Sequence, residues 1–372
     1  MKHLRSAIRA VVPFGVRRRL SDVLSDRVDR QTRAELEALG CGAGPIIVGP
    51  WVGEVGFELL YWIPFLQWAL EAGRIERSRI TVVSRGGTAS WYHHIADHYV
   101  DVLDLLSEEE FQSRNRHRHA EVGEQKQVRL TTLEADIIGR VAALRGLHQP
   151  KVLHPGLMYR LLNPYWWGHR PVDWVEQHAR FRPLAADLAG PNRLRASGAS
   201  ASLAVASAEA EGPALHPVAS DLPRNYAAVK FYFNDCFPAT SENRAFALRV
   251  VREMADEGPV VSLATGLRLD DHRGWEEEEK IALSGIRGAM TPSTNLAFQT
   301  RVVAGARVWA GTYGGFAYLA PFHRVPARAF YSDAGGFSGR HLELALNVFS
   351  GFGRDLLRVH NAQWPMPNAQ GF

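Results

Sequence analysis

Two glutamates follow the first apolar stretch of the chain at positions suited to proton transfer. Pro45-Ile-Ile-Val-Gly-Pro50 predicts a short buried strand, and Gly49-Pro-Trp-Val-Gly-Glu-Val-Gly-Phe-Glu58 continues from it. In an open parallel sheet the ligand crevice lies beyond the carboxyl ends of the strands, so Glu54 and Glu58 are predicted beside it. A carboxylate there can take a proton from an attacking hydroxyl. Glu58 also stands in the first turn of an apolar helix predicted over 57–72, where a carboxylate is ordinary capping chemistry, so the choice of base stays open.

A second glycine-rich turn, near the carboxyl end of the chain, has the pattern of an anion site. Ala306-Arg-Val-Trp-Ala-Gly-Thr-Tyr-Gly-Gly-Phe-Ala-Tyr-Leu-Ala-Pro-Phe322 predicts a buried strand, a glycine turn and the start of a helix. A helix that begins on such a turn points free N–H groups and a positive dipole end at whatever lies above the strand. We therefore predict phosphate contacts from four turn residues: Thr312, Tyr313, Gly314 and Gly315.

Other polar side chains are expected near the same phosphate. Lys230 interrupts an apolar strand predicted over Tyr226–Phe233. Burial of an unpaired ammonium is costly, so we expect Lys230 near the end of the strand, where it reaches an anion; the alternative is an edge-strand lysine in solvent. Asn234 follows in the loop. Ser293 and Asn295 begin another predicted helix, where capping explains most of the pattern and contact with the shared ligand is the second option.

Strand and helix patterns alternate along the chain and predict two α/β halves with parallel sheets. Within the first half, residues 114–126 are predicted as a polar loop, and 158–175, rich in Trp and Tyr, as a packed irregular segment. The predicted organisation has five parts: a basic segment and helix (1–44), the first α/β domain (45–189), an Ala/Ser-rich linker or mobile loop (190–224), the second α/β domain (225–350) and a tail (351–372).

The composition excludes several classes of protein. The 372 residues carry a net charge of only +4, with a local excess of Lys and Arg over Asp in residues 1–33. The remainder is near neutral, so no nucleic-acid partner is predicted. Two distant cysteines favour a reducing cytoplasm, and no apolar run is long enough to span a membrane. For the basic N-terminal segment, contact with an anionic membrane surface and a solvated tail are both open.

The motifs of several enzyme chemistries are missing. The sequence has no phosphate-binding GxxxxGK[ST] loop, no G-x-S-x-G elbow and no HExxH pattern. Asp270-Asp271-His272 has metal-ligand residue types but neither D-x-D spacing nor a partner. We therefore predict no metal site and no bound cofactor.

Taken together, the two halves resemble the GT-B glycosyltransferases, in which two Rossmann-like domains face each other across a cleft. The turn in "VWAGTYGGFAYLAPF" is similar to the diphosphate-binding element of the heptosyltransferase-like and fucosyltransferase-like branches. Lys230 matches the family's strand-end cation. The early motif is similar to a family motif in which a Gly-Asp pair precedes a proline. Glu58 precedes Pro64 by the same number of residues as the family's Asp precedes its proline. In this chain, however, Phe57 and Glu58 stand where the family has the Gly and the Asp. The resemblance spans most of residues 45–350.

The resemblance implies an inverting, metal-independent glycosyltransferase whose substrate is a nucleotide sugar. A saccharide or lipid-linked acceptor, in bacterial surface polysaccharide or glycolipid synthesis, is implied with it, in the cytoplasm or on the inner face of the membrane. The sugar type (hexosyl, heptosyl or fucosyl) stays open. Three alternatives also remain: a sugar-nucleotide epimerase or hydrolase of the same fold, a non-catalytic nucleotide-sugar-binding protein, and an unrelated α/β interaction protein.

Overall fold

The computed structural model describes residues 14–123, 126–184, 222–265, 273–274 and 290–363. These residues form two α/β halves, each built on a parallel sheet, which is the predicted fold class. Most of the predicted linker, the Asp270-Asp271-His272 cluster and the end of the tail lie outside the described residues.

The first half has a four-stranded parallel sheet whose strands are short and buried. Its strands, in chain order, are β1 (Ile46–Val48), β2 (Ile80–Ser84), β3 (His98–Asp101) and β4 (Lys151–Leu153). Their order across the sheet is β3-β2-β1-β4, so β4 is an edge strand. Apolar side chains fill both faces of the central strands, because helices cover a parallel sheet on both sides.

Seven helices surround this sheet. They are α1 (Phe14–Gly40), α2 (Val55–Phe57, then a π-helical turn over Glu58–Trp62, then Ile63–Gly73), α3 (Val102–Leu105), α4 (Glu108–Val122), α5 (Thr132–Arg145), α6 (Gly156–Trp166) and α7 (Asp173–Gln177). Short 3₁₀ helices lie at Arg77–Arg79 and Thr88–Tyr92.

The second half has a five-stranded parallel sheet of order β11-β10-β9-β5-β7. Its elements are β5 (Ala227–Lys230), β6 (Tyr232–Phe233), α8 (Ser241–Glu257), β7 (Val260–Ser262), β8 (Arg273–Gly274), α9 (Asn295–Ala304), β9 (Val308–Thr312), α10 (Leu319–Phe322), β10 (Ala327–Tyr331), α11 (Gly339–Phe352) and β11 (Leu357–Asn361). β6 and β8 pair antiparallel beside the sheet, and 3₁₀ helices lie at Gly315–Tyr318 and Ala334–Gly336.

Four of the predicted elements differ in the structure. The predicted loop over 114–126 is mostly the helix α4, and the predicted irregular segment over 158–175 contains most of α6 and the start of α7. The predicted tail holds β11, which pairs with β10. The N-terminal helix is not a separate segment, because α1 packs on the first half with Leu36 fully buried.

Candidate functional site

A cleft of about 740 Å³ lies between the two halves, where the carboxyl ends of their strands meet. Six of the ten residues predicted for the site line it: Glu54, Lys230, Asn234, Tyr313, Gly314 and Gly315. Glu58, Ser293, Asn295 and Thr312 do not. The structure therefore brings both glycine-rich turns and the strand-end lysine to one place, as the strand ends of facing parallel sheets require.

The two glycine-rich turns touch each other backbone to backbone. A Cβ atom added to Gly56 would lie 2.4 Å from Cα of Gly315, and one added to Gly315 would lie 2.4 Å from the amide nitrogen of Gly56. Real Cβ atoms do not approach so closely, so glycine at both positions is what allows the halves to meet here.

Glu54 stands at the start of α2 with its side chain in the cleft. Its backbone is extended, with φ −71° and ψ 145°, and its carboxylate makes no capping hydrogen bond. The loop before it is held from two sides: Arg85 donates from Nη2 to the Gly53 carbonyl at 2.6 Å, and Gln127 accepts from the Val52 amide at 3.0 Å. Glu54 is thus an exposed carboxylate on a fixed loop, the arrangement that a general base needs.

Glu58 lies one turn further along α2 and is fully buried in the first half. Its Oε1 accepts hydrogen bonds from Ser84 Oγ and from Tyr92 Oη, both at 2.5 Å, while Oε2 is buried without a partner. Burial raises the pKa of Glu58 to about 7. Glu58 does not line the cleft, so the structure corrects its predicted position: the carboxyl ties α2 to the end of β2 and to the 3₁₀ helix at Thr88–Tyr92.

On the opposite side, Lys230 is half-buried at the carboxyl end of β5 and lines the cleft. Its Nζ donates to Gln299 Oε1 at 2.6 Å and lies 3.9 Å from the centre of the Phe316 ring. An ammonium has three protons to donate and attracts anions as a point charge, so this lysine can hold a phosphate oxygen while it keeps the Gln299 contact.

Asn234 and Gly314 stand beside this lysine. The Asn234 Oδ1 accepts from the amides of Cys236 and Phe237, at 3.1 and 2.9 Å, which fixes the loop after β6. A Cβ on Gly314 would lie 2.2 Å from Oη of Tyr232. With φ 160° the Gly314 backbone is extended, so glycine is required by the space that Tyr232 occupies rather than by a left-handed conformation.

Two of the predicted turn residues have structural partners. Thr312 is the last residue of β9 and fully buried; its Oγ1 accepts from the Tyr232 amide at 3.0 Å and donates to the Tyr232 carbonyl at 2.7 Å. It is therefore not available to a phosphate, contrary to the prediction. Tyr313 lines the cleft but is nearly buried, and its hydroxyl pairs with that of Tyr318 at 3.0 Å. Burial raises the pKa of Tyr313 to about 12, so it stays neutral.

Ser293 and Asn295 lie outside the cleft, which corrects their predicted role. The Ser293 carbonyl packs against Gly87 of the first half, and Asn295 donates from Nδ2 to the Pro292 carbonyl. Gln299 Nε2 approaches Asn295 Oδ1 at 3.3 Å. Asn295 is thus connected to the cleft through Gln299 and Lys230.

Four basic residues of the first half line the cleft and were missed in the sequence: Arg85, Arg116, Arg118 and His119. Three of them lie on α4, a helix where the sequence pattern predicts a loop. The missed signal is the capping sequence Ser107-Glu-Glu-Glu110, since the Ser107 hydroxyl accepts from the Glu110 amide at 3.1 Å. Arg85 directly follows the carboxyl end of β2, and this position beside the expected ligand crevice is the signal that could have identified it.

Hydrogen bonds also join the halves. Tyr61 Oη lies 2.6 Å from Nδ1 of His341, and Trp91 Nε1 donates to Thr300 Oγ1 at 3.1 Å. Burial lowers the pKa of His341 to about 4, so it is neutral in its contact with Tyr61. Both contacts hold the cleft in the arrangement described here.

The described residues contain neither a candidate metal site nor a helix that could span a membrane. Among the described residues, no group of three or more His, Cys, Asp or Glu side chains is placed to hold a metal ion. Across the same residues, no helix combines the length and the apolar character needed to cross a membrane.

Comparison with known proteins finds similarity only at the level of structure. No protein-family model matches the sequence, and no curated protein matches it. The E. coli ADP-heptose LPS heptosyltransferase II aligns with a TM-score of 0.39 and 12% identity, over 83% of this chain and 99% of that one. The E. coli heptosyltransferase WaaC with ADP-2-deoxy-2-fluoro heptose aligns with a TM-score of 0.37 and 16% identity, over 83% of this chain and 98% of that one. By structure, the chain is thus similar to heptosyltransferases.

Proposed function

We propose that this protein is a glycosyltransferase that transfers a sugar from a nucleoside-diphosphate sugar to a hydroxyl acceptor. The observation that carries the proposal is one cleft with a free carboxylate, Glu54, on one wall and a strand-end lysine, Lys230, with a glycine turn on the other. The first can accept a proton, and the second can hold a diphosphate.

The donor side supports a diphosphate. Lys230 supplies the positive charge, and the Asn234 side chain, whose Nδ2 lies 3.8 Å from the position of a Gly314 Cβ, supplies a second donor. Both stand where the leaving group's negative charge develops, and fixed donors at such a place stabilise the transition state. Lys230 then has the role that a divalent cation has in metal-dependent transferases, which makes the proposed reaction metal-independent.

The proposed reaction is a single displacement. Glu54 takes the proton of the acceptor hydroxyl, and the acceptor oxygen forms a bond to the anomeric carbon. The bond from that carbon to the phosphate oxygen breaks, and its electron pair leaves with the nucleoside diphosphate, held by Lys230. Attack from the side opposite the leaving group inverts the anomeric centre.

Binding of nucleoside diphosphates tests the donor side. We expect at least one of ADP, GDP, UDP and CDP to raise the melting temperature of the wild-type protein, and Lys230→Ala to weaken that binding about tenfold or more. The matched control is Lys151→Ala, since Lys151 lies on the edge strand β4, away from the cleft. If both variants bind the nucleoside diphosphate equally well, Lys230 does not belong to the donor site.

Product analysis separates the proposal from its alternatives. With a nucleotide sugar alone, a transferase leaves the donor unchanged. Epimerised or released sugar, detected by nuclear magnetic resonance without any acceptor, would overturn the proposal in favour of an epimerase or hydrolase. A protein that only binds the donor shows no turnover with any acceptor.

The proposal extends to bacterial surface polysaccharide or glycolipid synthesis on the cytoplasmic face of the membrane. Leu20, Val23 and Leu24 are exposed on one face of α1, in the basic N-terminal region. Exposed apolar residues beside basic ones favour an anionic lipid surface. We expect co-sedimentation with phosphatidylglycerol vesicles but not with phosphatidylcholine vesicles, and loss of it in Leu24→Ser but not in the control Leu144→Ser. Equal behaviour of the two variants would contradict the membrane contact.

A further inference from the structure

A second concave surface lies next to the cleft, on the outside of the first half. This surface, here named the β4–α6 groove, has a volume of about 990 Å³ and is bounded by the edge strand β4, by α6 and by the end of α1. The proposed transfer reaction uses none of its residues.

The groove and the cleft share a wall. Phe57 lines the cleft, and Trp166 lines the groove. Lys126 lies between them, with Nζ 5.5 Å from the centre of the Phe57 ring and 5.2 Å from that of Trp166. Tyr159 packs against both rings, at 6.1 and 5.5 Å between centroids. The rings of Phe57 and Trp166, whose centroids are 5.8 Å apart, therefore place one end of the groove beside the cleft.

The groove presents aromatic rings to solvent. Trp167 is 55% exposed at the end of α6, and Trp166 and Tyr159 continue the aromatic surface inward. An indole ring combines a large apolar face with a polar N–H, which suits it to ligands that are apolar on one face and hydroxylated at the edges, as sugar rings are.

The groove also carries an excess of positive charge. Its lining includes Lys126, Lys151 and Arg160 against a single carboxylate, Glu35. Arg160 Nη2 donates to Glu35 Oε1 at 2.6 Å, and Lys151 Nζ donates to a backbone carbonyl at 2.7 Å. A charged side chain on an edge strand, such as Lys151, also prevents pairing with another strand. That explanation does not apply to Arg160 on α6 or to Lys126, which precedes α5.

From these observations we infer that the β4–α6 groove binds an acidic oligosaccharide, the part of the acceptor that extends beyond the reacting sugar. Trp167 is the stacking platform, and Lys126, Lys151 and Arg160 face the carboxylate or phosphate groups of the saccharide. The identification of this saccharide as acceptor rests on the proposed function, whereas its binding to the groove does not.

Binding of defined tetrasaccharides tests the inference without any turnover. The probes are the tetrasaccharides of galacturonate, hyaluronan and α2,8-linked sialic acid, with maltotetraose as the neutral comparison, and tryptophan fluorescence and calorimetry are the readouts. We expect at least one acidic probe to bind about tenfold more tightly than maltotetraose. We expect Trp167→Ala and Arg160→Gln each to weaken that binding about tenfold.

Two surface variants serve as matched controls. Arg140→Gln removes an arginine of the same exposure as Arg160, 41% against 40%, that is also paired with a carboxylate. Leu144→Ala removes an exposed apolar side chain, 64% exposed, on α5. Both should bind the probe like the wild type, and circular dichroism checks that all four variants are folded.

The outcomes separate this inference from the proposed function. If no acidic probe binds better than maltotetraose, or if the groove variants bind it like the controls, the inference is wrong, whatever the nucleoside diphosphate results. A different outcome is that no nucleoside diphosphate binds, while tetrasaccharide binding is lost only in Trp167→Ala and Arg160→Gln. In that case the inference about the groove is supported and the proposed function is wrong.

Discussion

The two walls of the cleft are built on the same local plan, a buried strand followed by a glycine-rich turn and a helix start, yet the first turn carries a carboxylate while the second lies beside an ammonium. The first presents the carboxylate of Glu54 and the second the ammonium of Lys230. The turns meet at Gly56 and Gly315, where neither has a side chain. The chemistry of such a turn is therefore decided less by its glycines than by the charged group that neighbouring elements place beside it.

A second contrast lies within the first wall. Glu54 and Glu58 are four residues apart on one helix, but Glu54 is exposed while Glu58 is fully buried with two hydroxyl donors. A carboxylate exposed to solvent can exchange a proton with a substrate, whereas the protonation of a buried carboxyl mainly affects the stability of the fold. Substitutions in the two walls and at their contacts test both contrasts.

The largest effect is expected for Glu54→Gln. If Glu54 is the base, turnover falls by roughly 10²- to 10⁴-fold, the usual contribution of a positioned general base, because an amide does not accept the proton. Glu58→Gln retains an oxygen for Ser84 and Tyr92 and should leave turnover close to wild type. Steady-state kinetics at saturating donor measure both, and a larger loss in Glu58→Gln would reverse the assignment.

Glu58 should instead govern how stability depends on pH. Its pKa is about 7 in the fold against 4.5 for an ordinary glutamate, so the folded state binds the proton more tightly than the unfolded state. The stability from this proton is fully present below pH 4.5 and is lost as the pH rises through about 7, a change on the order of 3 kcal/mol. Urea unfolding from pH 4 to 8 should show this decline in the wild type and a flatter profile in Glu58→Gln. Parallel profiles would contradict the assignment.

The glycine contact between the walls gives the next effect. Gly315→Ala places a Cβ 2.4 Å from the Gly56 amide nitrogen and must move the two turns apart. We expect a loss of about 1–3 kcal/mol in the free energy of unfolding, as for other overpacked sites. The control is Gly139→Ala, where nothing lies within 4 Å and the helix gains about 0.5–1 kcal/mol. Equal stability of the two variants would show that the turns do not touch in solution.

The smallest effect is expected at the hydrogen bond between Trp91 and Thr300. Thr300→Val keeps the size of the side chain but removes the oxygen that accepts from the Trp91 indole at 3.1 Å. Because both partners are buried, the unpaired indole N–H should cost about 1–2 kcal/mol in the free energy of unfolding. Thermal unfolding measures the loss, with Thr300→Ser, which keeps the hydroxyl, as the control; equal stability of the two variants would contradict this contact.

Much of the architecture was predictable because its signals are local. Apolar runs ended by glycine or proline predicted the strands β1 and β9 within a few residues. Helix α4 was missed because its polar sequence lacks apolar periodicity, and its cleft arginines were missed with it. Strand β11 is short and half-buried at the sheet edge, so little in its sequence separates it from a tail.

Local sequence patterns were enough to predict the two α/β halves, the glycine turns and a strand-end lysine, because strand, turn and helix starts depend on neighbouring residues. Which glutamate faces the cleft, and which of the predicted ligands are structural, depends on contacts between distant parts of the chain. The hydroxyl of Thr312 is used by Tyr232, Ser293 packs at the contact between the halves, and Asn295 bonds to Pro292. Burial and hydrogen-bond partners come from residues far along the chain, and they determine whether a polar side chain meets a ligand or the protein interior.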